Sequence, residues 1–149
     1  MIYLRVGTGA TFNTIYLNLI DRLEDDDLPA TWSWLMIFTN DFTKKKYTLL
    51  QILGQSVSHT KLNNLVRMPI VAKNGGVANG LLQEVVLPDT GYYTYEIYRQ
   101  NSTTNLDYKM PGLVSVKQQI GKLLAYNDTS EQQYESLIDG TPNNFIYVP

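Results

Sequence analysis

With 149 residues, no cysteine and one histidine (His59), the chain is long enough for a single core and lacks the residues for disulfides, thiolate chemistry or a multi-histidine metal centre. Its 12 Lys and Arg stand against 14 Asp and Glu, so no overall basic field exists to draw in nucleic acid or anionic lipid. Charged residues make up only 17% while Tyr alone supplies 11, the composition of a β-rich protein with amphipathic surfaces.

The dominant hydrophobic period is two. Residues 1–6 alternate and stop at Gly7-Thr8-Gly9, which predicts a first strand. No cationic, apolar leader precedes it, and the longest apolar run, Trp34 to Phe38, falls far short of the roughly 20 residues needed to cross a bilayer. The chain is therefore expected to fold in a cytosol. Residues 13–20 predict a second strand with Ile15, Leu17 and Leu19 on one face, interrupted by the acidic loop Glu24-Asp25-Asp26-Asp27 before Pro29.

Residues 32–39 are apolar at nearly every position, the pattern of a central strand covered on both faces. A turn at Asn40-Asp41 with Thr43-Lys44 returns the chain as a strand over 46–53, a hairpin. Residues 55–64 have no clear period and read as a short helix or loop. Strands are predicted over 65–73, 80–87 and 92–100, punctuated by Asn74-Gly75-Gly76 and Pro88-Asp89-Thr90-Gly91. A Ser/Thr/Asn-rich loop over 101–105 leads to a last strand at 113–126, in which Gly121 marks a bulge or a close approach.

This spacing predicts an all-β antiparallel sandwich of about seven to eight strands, and the resemblance carried by the string Asp89 to Tyr95 makes it Ig-like. It would occupy residues 1–126, with 127–149 as a C-terminal extension. The expected core holds Leu17, Leu19, Trp34, Met36, Phe38, Val85, Leu87, Tyr93, Tyr95, Ile97, Val114 and Val116. The extension carries Asp128, Glu131, Glu135 and Asp139 without a cation, then ends in Phe145, Ile146, Tyr147 and Val148 before Pro149. Consecutive β-formers left bare are an aggregation hazard, so this end is expected to dock on its own sandwich or on a neighbouring subunit.

The most informative local string is Asp89-Thr90-Gly91-Tyr92-Tyr93-Thr94-Tyr95. It resembles the D-x-G-x-Y-x-C stretch opening strand F of immunoglobulin domains, with Tyr93 in the place of the corner tyrosine and Tyr95 in that of the disulfide cysteine. Trp32 or Trp34 matches the core tryptophan of strand C. If Tyr93, Tyr95 and Ile97 point inward, Tyr92, Thr94, Glu96 and Tyr98 point outward. Tyr92 and Tyr98 are then either interface residues or lie beneath the chain's own tail.

Candidate chemistry is thin. The acidic loop lacks the D-x-D-x-D-G spacing and distal Glu of a calcium loop, and Lys44-Lys45-Lys46 suits an exposed hairpin edge. His59 sits beside Ser58 and Thr60 with no G-x-S-x-G elbow anywhere, and the glycine pairs match no phosphate-binding fingerprint. No catalytic, cofactor-binding or metal-ligating residue is expected, so the chain reads as a non-enzymatic structural or binding module without cofactor.

A longer pattern extends this reading. Gly91 to Asp107, including Tyr93-Thr94-Tyr95-Glu96-Ile97-Tyr98-Arg99-Gln100 and Asn105-Leu106-Asp107, is followed by Gly112-Leu113-Val114-Ser115-Val116 and Gly121-Lys122-Leu123-Leu124. With the earlier Phe38-Thr39-Asn40-Asp41 turn and its Thr43-Lys44, this resembles the small Ig-like virion proteins of tailed bacteriophages, including the capsid auxiliary type of crAss-like phages. The likeness spans roughly residues 10–126. It implies a virion component folded in the host bacterial cytoplasm, with the major capsid protein, other virion proteins or copies of itself as partners, and neither nucleic acid nor membrane. A decoration protein on the shell is the leading expectation. A head–tail connector, a fibre anchor, or a surface carbohydrate-binding module using Tyr92 and Tyr98 are the alternatives. The interface residues expected are Tyr92, Tyr98, Phe145, Ile146, Tyr147 and Val148.

Overall fold

The structure, a computed structural model, describes residues 1–19, 32–52, 58–60, 65–110 and 114–127; for 58–60, 65 and 114–116 it describes the backbone only. Nine strands lie in these residues: β1 (Ile2–Val6), β2 (Thr11–Asn18), β3 (Ser33–Asn40), β4 (Lys46–Ile52), β5 (Ser58–Thr60), β6 (Leu65–Lys73), β7 (Glu84–Val86), β8 (Gly91–Gln100) and β9 (Val114–Asn127). They form two sheets, β1-β9-β8-β3-β4 and a smaller one built on β2-β6. Strands β9, β8, β3 and β4 take the places of G, F, C and C′ of an immunoglobulin sandwich, and β2, β6 and β5 those of B, E and D.

Side-chain alternation places the core between the sheets. Leu4 and Val6, Ile15 and Leu17, Trp34, Met36 and Phe38, Met68 and Ile70, and Tyr93, Tyr95 and Ile97 all meet in one cluster. Every expected core residue with a described side chain is buried; Val114 and Val116 lie outside the described side chains. β3 is covered on both faces, as its unbroken apolar run predicts.

Four details differ from the sequence reading. Residues 80–87 are not one strand but a 3-10 turn (Gly80–Leu82) followed by the three-residue β7, because Asn79 caps the turn and Gln83 ends it in the left-handed region. Within the segment read as helix or loop, residues 58–60 form β5. The strand count is nine instead of seven to eight, and two pairings are parallel: β1 with β9, and β6 with β7. Lastly, β9 carries a bulge at residues 117–119 that no residue announced, while Gly121 makes the close approach expected of it.

The other edge of β6 is shared, with β5 along Leu65–Arg67 and β7 along Val71–Lys73. Pro69 sits in the interval, where it has no N–H to leave unpaired, and its carbonyl accepts from Gln51 Nε2 at 2.6 Å. A side chain from the larger sheet thus closes the gap in the smaller one. The edge of β1 is treated similarly: Asn13 accepts from the Arg5 N–H at 2.8 Å and donates to its carbonyl at 2.9 Å.

Candidate interaction surface

The corner predicted from the sequence is present. Tyr93 is fully buried, and its hydroxyl donates to the Asp89 carbonyl at 2.7 Å. Burial pushes its phenol above the ordinary range. Trp34, not Trp32, is the core tryptophan, and its indole N–H donates to Gln118 Oε1 at 2.8 Å. The β9 bulge turns Gln118 inward for this bond. Trp32 instead stacks under Arg99, whose guanidinium lies 4.2 Å from the ring centre.

Where an immunoglobulin domain has its inter-sheet disulfide, Tyr95 lies across Gly121 on β9. A Cβ at 121 would stand 2.6 Å from the ring, so only glycine admits it there. Gln119 Nε2 donates to the Tyr95 hydroxyl at 3.0 Å, satisfying the polar end of a ring that is otherwise buried.

These inward residues fix what the outer face of the larger sheet presents. Along its β3–β4 half, Leu35, Ile37, Leu50 and Ile52 form a second buried cluster, roofed by Leu81, Leu106 and Tyr108 and flanked by Tyr98. The roof is the β8–β9 connection and the 3-10 turn. Its polar residues tie it down: Gln100 and Asn105 exchange amide bonds at 2.9 Å, Ser102 Oγ accepts from the Asn105 N–H at 3.1 Å, and Ser33 Oγ donates to the Ser102 carbonyl. Lys46 covers Tyr108 at 4.6 Å from the ring centre.

The β1–β9–β8 half has no such roof among the described residues. Tyr3, Leu124 and Tyr92 stand in register across three strands, with Tyr3 62% and Tyr92 56% exposed. Met1 and Ile120 lie exposed on the same face. Charged groups interrupt this strip: Arg5 shares the outward parity of Tyr3, and Glu96, opposite Ile120, pairs with Lys117. Lys122 Nζ is 2.6 Å from Asp41 Oδ2 and donates to Thr94 Oγ1 at 2.9 Å, while that hydroxyl donates to Asp41 Oδ1 at 2.7 Å. The Lys122 and Thr94 hydrogen bonds hold the Asp41 carboxyl below the usual aspartate range.

Beside this strip the β3–β4 turn and the β7–β8 corner enclose a groove of about 550 Å³, lined by Asn40, Asp41, Phe42, Thr43, Asp89, Thr90, Gly91 and Tyr92. Asn40 Oδ1 accepts from the N–H groups of Phe42 and Thr43 at 2.9 and 2.8 Å, and the Asp41 N–H donates to the Tyr92 carbonyl at 3.0 Å. The walls are thus fixed by bonds that do not involve the Phe42 ring, which is 94% exposed.

Of the expected interface residues, Tyr92 is exposed on the bare half. Tyr98 points outward as alternation requires, but it is half-buried against the roofed cluster, with Lys117 held by Glu96 over its ring. Among the described residues, Tyr92 and Tyr98 thus differ in surroundings: Tyr98 packs against the roofed cluster, and Tyr92 does not. Phe145, Ile146, Tyr147 and Val148 lie outside the described residues, as does the acidic loop; His59 is described in its backbone alone. Tyr3, Phe42, Ile120 and Leu124 escaped the sequence reading, although Tyr3 and Leu124 share the outward parity of their strands.

No group of three or more potential metal ligands occurs among the described residues, and none of their helices is long and apolar enough to cross a membrane. Comparison with known proteins gives no match: no family model fits the chain, and no curated protein or solved structure matches it.

Proposed function

We propose that this chain is a structural component of a phage virion, an auxiliary (decoration) protein that binds the major capsid shell without catalysis or cofactor. The observation that carries the reading is the bare half of the larger sheet. Tyr3, Leu124 and Tyr92 form an apolar, partly aromatic row across three strands of the outer face. Aromatic side chains offer large contact area at low entropic cost, and an apolar row of this kind matches the centre of a protein interface. The likeness of the β8–β9 region to Ig-like virion proteins supplies the partner. On a repeating shell, one modest contact per copy becomes tight attachment by multivalency.

The test is particle loading. Tyr3→Ser and Tyr92→Ser together are expected to leave the isolated protein folded and to prevent its incorporation into purified particles. Hundreds of copies per wild-type particle support decoration; a dozen or fewer would replace it with a connector at a single vertex. Undiminished loading of the double variant would remove the bare face from the proposal.

A further inference from the structure

The groove between the β3–β4 turn and the β7–β8 corner is the second feature that folding does not explain. The Phe42 ring makes none of the bonds that hold its turn, which come from Asn40, the Asp41 carboxylate and the backbone. Tyr92, half exposed, lines the same groove, as do Asp89, Thr43 and Thr90. The Asp89 carboxylate and the hydroxyls of Thr43 and Thr90 make no hydrogen bond or ion pair with the described residues. The volume, about 550 Å³, is that of a small-molecule site.

The charge balance narrows the ligand. Asp41 is matched by Lys122 at 2.6 Å, and Lys44 lies close enough to act on the same carboxylate, leaving Asp89 as the one unmatched acid of the groove. An anion would meet two carboxylates. A cation would find one of the two already neutralised, with lysines near the rim. A purely apolar segment would strip water from Asp89, Thr43 and Thr90 and give nothing in return. A ligand with apolar ring faces and hydroxyl edges meets every requirement at once: its faces lie on Phe42 and Tyr92, and its hydroxyls donate to Asp89 and exchange bonds with the threonines.

We infer that this groove is a binding site for a neutral oligosaccharide, with Phe42 and Tyr92 as stacking platforms and Asp89 as the orienting acceptor. The site does not require the virion assignment, and it places the second platform at Phe42 and not at Tyr98. It is built beside the tyrosine corner. The carbonyl that anchors Tyr93 belongs to Asp89 itself, so the orienting residue is fixed by the core.

The full-length protein titrated with maltohexaose, cellohexaose, chitohexaose and mannohexaose, followed by saturation-transfer NMR and calorimetry, tests this. At least one of these glycans should bind with millimolar or tighter affinity. Phe42→Ala and Asp89→Asn should each weaken it at least about tenfold with unchanged Tm, and Phe42→Trp should retain it. Absence of binding by all four sugars, or binding indifferent to both weakening substitutions, would overturn the site. So would preferential binding of a decalysine peptide that weakens with salt and with Asp89→Asn, which would make the groove a cation site. Because particle loading is read separately, neither outcome is confused with failure of the virion assignment.

Discussion

The two halves of the larger sheet's outer face are built from the same kind of strand, yet only one of them is finished. Over β3 and β4 the outward residues Leu35, Ile37, Leu50 and Ile52 are sealed by a loop whose Gln100–Asn105 and Ser33–Ser102 bonds hold Leu106 and Tyr108 down. Over β1, β9 and β8 the outward residues Tyr3, Leu124, Tyr92 and Ile120 meet no roof among the described residues. The difference separates two uses of apolar surface. The roofed half contributes to stability; the other, among the described residues, leaves its apolar side chains open to association.

The largest expected effect lies under the roof. Ile37→Ala removes a fully buried side chain from the second cluster and should cost about 2–4 kcal/mol in a urea titration. A cost near zero would mean that the roof excludes little water and that the halves do not differ.

Beneath the bare half, Gly121→Ala drives a methyl into the Tyr95 ring and should cost about 1–3 kcal/mol, with Tyr95→Leu in the same chain recovering some of the loss. A smaller change is expected for Tyr93→Phe, about 1 kcal/mol, because the lost bond leaves the Asp89 carbonyl free to take water. A neutral result in the same titration would show that the corner bond is not formed in solution.

Acid should cost the fold a little stability. Asp41, held down by Lys122 and Thr94, and Glu84, held down by Lys73, both titrate below their ordinary values of 3.8 and 4.5. The unfolded chain takes up these protons first as pH falls. The stability they lend is therefore intact above about pH 5 and is lost progressively as pH drops through 4 and below. Both groups are partly exposed, so the effect is small and fades in high salt. Comparing urea midpoints at neutral and acid pH, with Lys122→Met as control, isolates the Asp41 contribution; an unchanged pH dependence in that variant would exclude it.

The smallest effect on stability is expected from Tyr3→Ser, within about 0.5 kcal/mol. A loss several times larger would show that this face is covered after all.

Much of this was legible in the sequence where neighbouring residues decide the outcome. Alternation located β1, β2 and β8, an unbroken apolar run located β3, the Asp89–Tyr93 spacing announced the corner bond, and Gly121 announced a close approach. What escaped was set by residues distant in sequence. Period two assigns Tyr92 and Tyr98 to one face but is blind to the loop that lies over the second. That loop is dominated by Ser, Thr and Asn, so its two roofing residues, Leu106 and Tyr108, do not stand out. Nor does any local signal reveal a parallel pairing, since β1 meets β9 only after the whole sandwich has closed. The groove was invisible for the same reason: Phe42 and Tyr92 are fifty residues apart, and only the closed corner brings them to one opening.

The parallel pairing of β1 with β9 has a mechanical consequence. Ile2 lies opposite Leu123 and Val6 opposite Asn127, so the first strand enters at the end of the sheet opposite to the one where the last strand leaves. A pull that separates Met1 from Asn127 drags these two strands past each other along their length. Their ladder is then loaded in shear, with all its bonds bearing tension together, whereas an antiparallel hairpin pulled from its open end would unzip, each bond failing in turn. Without a disulfide between the sheets, this short ladder is the first point of resistance to such a pull, and once it slides no covalent loop keeps the rest of the chain from following.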